Sequence, residues 1–294
     1  MPHPQQSPIG VFDSGVGGVS VLRQLQRALP GESFIYAADS AHAPYGDKPQ
    51  AFIEDRTSAM ADFLTRAHAK AIVVACNTAT VIAVAALRAN HAIPVIAMEP
   101  AIKPAVALSR SRVVAVLATE RTLASPALAR LCRLYGDDAE IICQPCPGLV
   151  EVVEQGAADT QRAAQLLCLY LAPVLARGAD TIVLGCTHYV FLMAQIRAIA
   201  GPAVTIVESS AAVARQVERR LAENDMLADG RGRPATRFFT TGSVEHAQVV
   251  ISALWGSRVQ VHGMDDPGTV TGPPSTRARP RSAISQARGK EPHG

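Results

Sequence analysis

Short apolar runs of strand length alternate along the chain with longer stretches of helical periodicity. The runs that predict strands are residues 9–12, 34–38, 71–75, 95–98, 113–117, 141–143, 181–184, 204–207 and 238–241. The stretches that predict helices include residues 19–29, 50–69, 81–90, 124–135, 160–177 and 210–227. Strands that are apolar on both faces and separated by helices are typical of parallel sheets, because helices cover both sides of such a sheet. The pattern predicts an α/β protein built on mainly parallel sheets.

The two ends of the chain lack this pattern. The first seven residues and the stretch from Met264 to the C-terminus are polar, contain several prolines and have no apolar period. Such segments bury too little apolar surface to offset the entropy lost on ordering, so we expect both to be disordered. The chain has 294 residues, and at roughly 150 residues per domain this length favours two domains.

Composition and charge exclude several classes of function. Lys and Arg number 28 against 25 Asp and Glu, and part of this small excess lies in the C-terminal stretch. Nucleic acid is therefore not expected as a partner. The longest uncharged run, residues 71–87, has 17 residues, whereas a membrane-crossing helix needs about 20. No membrane association is expected, and because the N-terminal residues match no export signal, the expected location is cytoplasmic.

Two predicted strands end at a cysteine in matching contexts. Residues 71–78 (AIVVACNT) and 180–188 (DTIVLGCTH) each contain a buried run, then Cys76 or Cys186, then hydroxyl or amide side chains and a helix. A single cysteine at a strand end is more often a small buried hydrophobic residue. However, ligand sites of parallel sheets lie beyond the carboxyl ends of the strands, and a helix N-terminus lowers the pKa of a thiol. The matched pair therefore favours two thiol bases at one site, each with a pKa within reach of neutral pH.

The remaining four cysteines are not expected to take part in a reaction or to bind a metal. Cys132 and Cys168 lie on apolar faces of predicted helices, as small hydrophobic residues do. Cys143 and Cys146 form a C-x-x-C motif, but no second such motif or histidine pair lies near it. Neither a metal site nor a redox couple is expected there, and all six cysteines are predicted to be free thiols.

A glycine-rich loop, residues 13–18 (DSGVGG), follows the first strand and exposes backbone amides that suit an anion. Asp39, at the end of the second strand, makes a dinucleotide site a rival interpretation. Against it, the third glycine of G-x-G-x-x-G would fall at Ser20, and Asp13 would place a carboxylate beside the pyrophosphate. An amino-acid ligand fits better, because Asp13 can pair with its ammonium group while the loop amides bind a carboxylate.

Four motifs together resemble the bacterial glutamate racemase family. They are residues 9–18 (IGVFDSGVGG), Asp39 with residues 43–46 (APYG), residues 75–80 (ACNTAT) and residues 184–189 (LGCTHY), within a resemblance that spans about residues 8–262. The resemblance implies two similar α/β domains facing each other across the active site, commonly in a homodimer. It also implies interconversion of L- and D-glutamate without a cofactor, which supplies D-glutamate for peptidoglycan.

The resemblance also assigns residues to roles. Cys76 and Cys186 match the two catalytic thiols, with Cys76 acting on D-glutamate and Cys186 on L-glutamate. Asp13, Glu154 and His188 match auxiliary acid–base positions. The positions that match substrate-contacting residues are Asp13, Ser14, Tyr45, Gly46, Asn77, Thr78, Thr187 and His188. Two departures from the family pattern, Glu151 and Val190, alter the packing around these residues.

The motif-bearing strands and the resemblance suggest domain boundaries, and alternative functions stay open. A first domain of residues 1–97 plus 210–263 is expected, with residues 98–209 inserted as the second and residues 264–294 as a disordered tail. A related two-thiol racemase, such as one acting on aspartate, is the nearest alternative. A nucleotide-dependent oxidoreductase built on the glycine loop and Asp39, or a binding protein without catalysis, are the others.

Overall fold

The computed structural model describes residues 4–230 and 232–264, and in this part of the chain the strands form two parallel sheets. The strands are β1 (Ile9–Asp13), β2 (Phe34–Ala38), β3 (Ala71–Val74), β4 (Val95–Ala97), β5 (Val113–Ala118), β6 (Glu140–Pro145), β7 (Thr181–Leu184), β8 (Thr205–Val207), β9 (Thr236–Thr240) and β10 (Val261–Gly263). The larger sheet has the order β10-β9-β2-β1-β3-β4, and the smaller has the order β6-β5-β7-β8. All neighbouring strands run parallel, which confirms the predicted fold class.

Helices connect the strands and cover both faces of each sheet. They are α1 (Val19–Ala28), α2 (Gln50–Arg66), α3 (Asn77–Asn90), α4 (Ile102–Leu108), α5 (Glu120–Leu123), α6 (Pro126–Tyr135), α7 (Leu149–Glu154), α8 (Gln161–Ala176), α9 (Met193–Ala200), α10 (Ser210–Ala222) and α11 (Val244–Trp255). Short 3-10 helices span Pro4–Gln6, Ser40–His42, Tyr45–Asp47 and Thr187–Leu192. No helix in residues 4–230 and 232–264 is long and apolar enough to cross a membrane.

The observed elements differ from the predicted ones in a few places. Strands β2 and β7 have the predicted bounds, but β10, only three residues long, is missing from the predicted set. Helices α4, α5, α7, α9 and α11 are also not among the stretches singled out by periodicity. Helix α3 begins at Asn77, four residues before the predicted start, because the polar residues after Cys76 form its first turn.

The predicted disorder at the chain ends is wrong for the residues that the structure describes. Residues 4–6 form a 3-10 helix, and the Nζ atom of Lys70 donates a hydrogen bond to the backbone oxygen of Gln5. Ser7 is buried. At the other end, Met264 is buried and its backbone N–H donates to Thr240 O at 2.8 Å. Residues 1–3 and the rest of the predicted tail, 265–294, lie outside the described residues.

The hydrophobic core joins the two sheets. Its main cluster includes Ile9 and Val11 of β1 in the larger sheet and Ala115 and Ile182 in the smaller sheet. Because successive strand residues point to opposite faces, Phe12 belongs instead to a second cluster that packs under α2 and α3. The shared cluster brings the carboxyl ends of β1 and β7 close enough for the hydrogen bonds described below.

A buried ion pair lies at the amino-terminal ends of β2 and β3 in the larger sheet. The Nζ atom of Lys70 lies 2.5 Å from Glu32 Oε2, and both side chains are almost inaccessible to solvent. Lys70 also donates to Met226 O, and Glu32 Oε1 accepts from the backbone N–H of Ala228. Since buried charges are tolerated only when they are paired and hydrogen-bonded, these bonds tie the loop after α10 to the bottom of β3.

Breaking this pair should be costly. We expect Lys70→Met to lower the free energy of unfolding by about 3–5 kcal/mol, because the carboxylate of Glu32 is left buried without its counter-charge. Urea denaturation measures the change. The double variant Lys70→Met/Glu32→Gln should lose less, since it removes the uncompensated charge. Arg220→Met, which breaks an exposed pair with Glu223, is the control and should cost about 1 kcal/mol or less. A single Lys70→Met loss of the same size as the control would contradict the interpretation.

Candidate active site

Strand ends from both sheets meet at the glycine-rich loop that follows β1. Asp13 is the last residue of β1, Cys76 follows β3, and Cys186 follows β7 after one glycine. Thr187, next to Cys186, donates from Oγ1 to Asp13 Oδ2 at 2.9 Å. This bond crosses from the smaller sheet to the larger one, so the two predicted thiols lie in one site.

Cys76 caps the N-terminus of α3. Its sulfur accepts a hydrogen bond from the backbone N–H of Ala79 at 3.4 Å, and its thiol donates to Ser14 Oγ at 3.5 Å. The next side chain, Asn77, is buried, and neither its oxygen nor its nitrogen has a hydrogen-bond partner among the described residues. Because buried amides are rarely left unsatisfied, Asn77 is available to bind a polar ligand beside the sulfur.

The predicted lowering of the Cys76 pKa is wrong for the protein without a ligand. Burial raises the pKa of the Cys76 thiol to about 12, and the nearby Asp13 carboxylate adds to the increase. The hydrogen bond from the α3 N-terminus acts in the opposite direction but is outweighed. At neutral pH, Cys76 is therefore a thiol in this state, able to donate a proton.

Cys186 has different neighbours. It precedes a 3-10 helix rather than the α-helix expected from the sequence, and its sulfur lies 3.7 Å from His188 Nδ1. The other ring nitrogen of His188, Nε2, lies 2.6 Å from Glu154 Oε1. Burial acts to lower the pKa of His188, but hydrogen bonds with Cys186 and Glu154 outweigh it and hold the pKa well above its usual value. The imidazole is therefore charged at neutral pH, with one nitrogen facing the thiol and the other the carboxylate.

The glycine-rich loop binds protein carboxylates through its amides. The N–H of Gly15 donates to Asp13 Oδ1 at 2.9 Å, and the N–H of Val16 donates to Glu154 Oε1 at 2.7 Å. A Cβ atom at Gly15 would overlap the Glu154 carboxyl group, which explains the glycine. These two loop amides are therefore occupied by protein carboxylates, which leaves the other amides of the loop for a ligand's carboxylate, and two carboxylates in this position also disfavour a pyrophosphate.

Asp13 is buried, and burial raises its pKa, although the charge of His188 and hydrogen bonds from Gly15 and Thr187 oppose the increase. The hydroxyl of Ser14 also donates to Asp13 Oδ1, at 3.3 Å. A continuous chain of hydrogen bonds thus links Cys76 through Ser14 and Asp13 to Thr187, the residue that follows Cys186.

Tyr45 and Gly46 form a turn at the side of this site. The Tyr45 hydroxyl donates to Asp39 Oδ2 at 2.5 Å, so its proton is not available to a ligand. A Cβ atom at Gly46 would lie 2.8 Å from Thr119 Cβ, because the turn packs directly against the smaller sheet's unit. Thr119 Oγ1 in turn lies 3.0 Å from Thr78 Oγ1 in the first turn of α3.

The structure thus brings the predicted residues to one place. Hydrogen bonds connect Asp13, Ser14, Cys76, Glu154, Thr187 and His188, the Cys186 sulfur contacts His188, and Tyr45, Gly46, Asn77 and Thr78 lie beside them. Sequence analysis missed Arg56 and the hydroxyls of Thr119 and Thr122. Thr119 was detectable in principle, because it directly follows strand β5.

The thiols of the C-x-x-C motif make no hydrogen bond to these residues, although Cys146 lies near Cys186 in the same core cluster. Cys143 is exposed, Cys146 is buried, and all six cysteines are free. Burial raises the pKa of both Cys143 and Cys146. Among residues 4–230 and 232–264, no group of three or more His, Cys, Asp or Glu side chains is placed to hold a metal ion.

Comparisons with known proteins identify the family of this chain. Residues 9–217 match the family model described as Asp/Glu/Hydantoin racemase. A glutamate racemase of Ectopseudomonas mendocina is 46% identical over 258 residues, which cover 87% of this chain and 98% of that relative. The crystal structure of glutamate racemase isoform RacE1 from Bacillus anthracis has a TM-score of 0.81 at 34% identity, covering 90% of this chain and 99% of its own.

A second solved structure carries a ligand. Glutamate racemase from Francisella tularensis, in complex with D-glutamate, has a TM-score of 0.78 at 30% identity and covers 89% of this chain and 98% of its own. The family model, the curated relative and the solved structures all cover most of the described residues. The chain therefore belongs to the Asp/Glu/hydantoin racemase family and, within it, to the glutamate racemases.

Proposed function

We propose that this protein interconverts L- and D-glutamate without a cofactor and so supplies D-glutamate for peptidoglycan. It removes a proton from one face of the α-carbon and adds a proton to the opposite face. The observation that carries the proposal is the pair of thiols, Cys76 and Cys186, which follow parallel strands of different sheets, together with the buried hydrogen-bonded chain from Cys76 to Thr187, the residue next to Cys186. The glutamate racemases to which the chain is similar, one of them bound to D-glutamate, support glutamate as the substrate.

The reaction needs two bases. Inverting an α-carbon without oxidation requires that the proton leave from one face and another arrive at the opposite face, which one immobile base cannot do efficiently. Starting from L-glutamate, the Cys186 thiolate takes the α-proton and the Cys76 thiol donates its own proton to the other face. The enzyme is left with a Cys186 thiol and a Cys76 thiolate, the form that reacts with D-glutamate.

The α-proton is weakly acidic, so the carbanion-like transition state has to be stabilised by fixed donors near the substrate carboxylate. Asn77 offers a buried side-chain amide without a partner among the described residues, and Thr78 lies next to it. Because the Thr187 hydroxyl already donates to Asp13, we assign Thr187 to the substrate through its backbone amide at the start of the 3-10 helix. We assign the substrate ammonium to Asp13 and Ser14, because the Asp13 carboxylate lies between the thiols. An ammonium group there also favours the Cys76 thiolate, which the D-glutamate direction requires.

His188 and Glu154 are assigned to assist Cys186. The charged imidazole stabilises the Cys186 thiolate, and Glu154 holds the imidazole in place through its bond to Nε2. Tyr45 and Gly46 are proposed to contact the substrate through the backbone of their turn, because the Tyr45 hydroxyl is already bound.

Three further properties are proposed on the family resemblance and the topology. Residues 1–97 with 210–263 form one domain and residues 98–209 the other, in support of which β1–β4, β9 and β10 share one sheet, β5–β8 share the second, and α10 packs on α1. The protein acts as a homodimer. It works in the cytoplasm.

The assignment is tested by incubating the purified protein with L-glutamate in deuterium oxide, with no added cofactor. Loss of optical rotation together with deuterium at the α-carbon is the expected result, measured by circular dichroism and NMR. Parallel reactions with L-aspartate, and with glutamate plus NAD, distinguish the alternatives. Racemisation of aspartate in preference to glutamate, or activity only with the nucleotide, would overturn the proposal.

Replacing either thiol should remove the activity. We expect Cys76→Ser and Cys186→Ser each to lower kcat by at least about 10²–10⁴-fold in both directions, because serine is similar in size but a far weaker base at neutral pH. Cys168→Ser, which changes an exposed thiol on α8, is the matched control and should keep full activity. Thermal melting checks that all three variants fold. Near-normal turnover by either of the first two would refute the two-thiol mechanism.

The protonation state of Cys76 can be measured directly. Only the thiolate reacts with iodoacetamide, so with a pKa of about 12 the rate of Cys76 alkylation in the ligand-free protein should rise about tenfold per pH unit between pH 7 and 10. Peptide mass spectrometry follows the reaction, with Cys168 as an internal reference for reagent activity. A Cys76 rate that levels off near pH 7–8 would mean that the thiol is already ionised in the resting protein.

A further inference from the structure

The carboxylate of Asp39 is fully buried and binds side chains from three different segments. It accepts from the Tyr45 hydroxyl at 2.5 Å, from Arg56 Nε and Nη2 at 2.9 and 2.8 Å, and from Thr241 Oγ1 at 2.9 Å. His42 Nδ1 lies 3.0 Å away. Burial acts to raise the pKa of Asp39, but hydrogen bonds from Arg56 and Tyr45 outweigh it and lower the pKa, so Asp39 is a carboxylate. None of the mechanistic steps above uses this group.

The Asp39 cluster (Asp39, His42, Tyr45, Arg56 and Thr241) is attached to the catalytic end of the sheet. The backbone N–H of Asp39 donates to Asp13 O at 3.0 Å, so the carboxylate is anchored beside the last residue of β1. Arg56 binds it through two nitrogens, a geometry that fixes direction as well as charge. Arg56 is itself buried on α2, in the turn after Ile53, which belongs to the core.

The same cluster determines where the turn at residues 45–46 lies. The Tyr45 ring is buried in the apolar cluster that also contains Cys76, and its hydroxyl has Asp39 as its acceptor. On the other side, Gly46 packs against Thr119, and the two line a cavity of about 250 Å³ between the turn and the smaller sheet's unit. Asp39 thus fixes the turn through the Tyr45 hydroxyl, and Thr119 packs against the turn at Gly46.

We propose that Asp39, supported by Arg56, is a positioning residue that fixes the Tyr45–Gly46 turn and thereby sets the length of the amino-acid side chain that the site accepts. This inference rests on the proposed function. The α-carbon has to lie between the two thiols, so the distance from there to the turn is the room available for the rest of the substrate. Glutamate is one methylene longer than aspartate, and a fixed turn distinguishes the two.

The expected effect follows from general magnitudes. A turn that is no longer fixed weakens binding of the substrate side chain without touching the reacting atoms, and one methylene is worth about 10–200-fold in discrimination. We therefore expect Asp39→Asn to raise the KM for L- and D-glutamate at least about tenfold and equally, while kcat changes little. The inhibition constant of L-aspartate should stay within about threefold, because aspartate does not reach the turn.

The path through Tyr45 is tested by a double-mutant cycle. Tyr45→Phe removes only the hydroxyl that Asp39 accepts, and Arg56→Lys keeps the charge but loses the two-nitrogen contact. Both should raise the KM for glutamate less than Asp39→Asn does. If Asp39 acts through Tyr45, combining Asp39→Asn with Tyr45→Phe should raise the KM no further than Asp39→Asn alone.

Glu32→Gln is the matched control. Glu32 is also a buried carboxylate of the larger sheet and is paired with Lys70, but it lies at the amino-terminal end of β2, away from the site. It should lower the melting temperature and leave the KM and the glutamate–aspartate selectivity unchanged. If Asp39→Asn behaves in the same way, Asp39 is merely structural and the inference is wrong. If Asp39→Asn does not fold, Tyr45→Phe and Arg56→Lys decide, and unchanged KM values in both would reject it. Absence of glutamate racemisation by the unmodified protein would instead refute the proposed function.

Discussion

The loop of residues 13–18 is buried and donates neighbouring amides to two carboxylates, one from each side of the site. Gly15 N binds Asp13, and Val16 N binds Glu154 of α7. Buried carboxylates are tolerated only when hydrogen bonds replace their water, and the loop supplies those bonds without leaving room for a Cβ atom at Gly15. Glu154 also bonds to His188 Nε2, so the loop after β1 is linked through this carboxylate to the imidazole beside Cys186.

The two thiol environments are matched in topology but not in electrostatics. Each sulfur follows a buried parallel strand, as a reaction between mirror-image substrates favours. Cys76, however, is surrounded by a helix N-terminus, a serine and the Asp13 carboxylate, and burial raises its pKa. Cys186 faces an imidazole held by Glu154. Cys76 is therefore held as a thiol, whereas the charged group nearest to Cys186 is the His188 imidazolium.

Two buried carboxylates of the larger sheet, Glu32 and Asp39, have similar surroundings but different roles. Glu32 pairs with Lys70 at the edge away from the thiols and joins loops that carry no chemistry. Asp39 follows β2 at the catalytic edge, where its partners Tyr45 and Arg56 hold a turn next to the site. Burial and pairing alone do not distinguish them. What differs is the end of the parallel strands at which each one lies.

The sequence by itself determined the class of fold, the two strands that precede Cys76 and Cys186, and a set of candidate residues that the structure brings together, because buried parallel strands are uninterrupted apolar runs and ligand sites lie at their carboxyl ends. It did not determine the short strand β10 or the helix start at Asn77, which depend on neighbouring elements rather than local pattern. Only the tertiary structure decided that Glu154, far along the chain, takes the loop amide assigned to a ligand, that Asp39 binds Arg56 and Tyr45, and that burial raises the pKa of Cys76. Desolvation and long-range pairing depend on which groups surround a residue in space, and no local spacing along the chain contains that information.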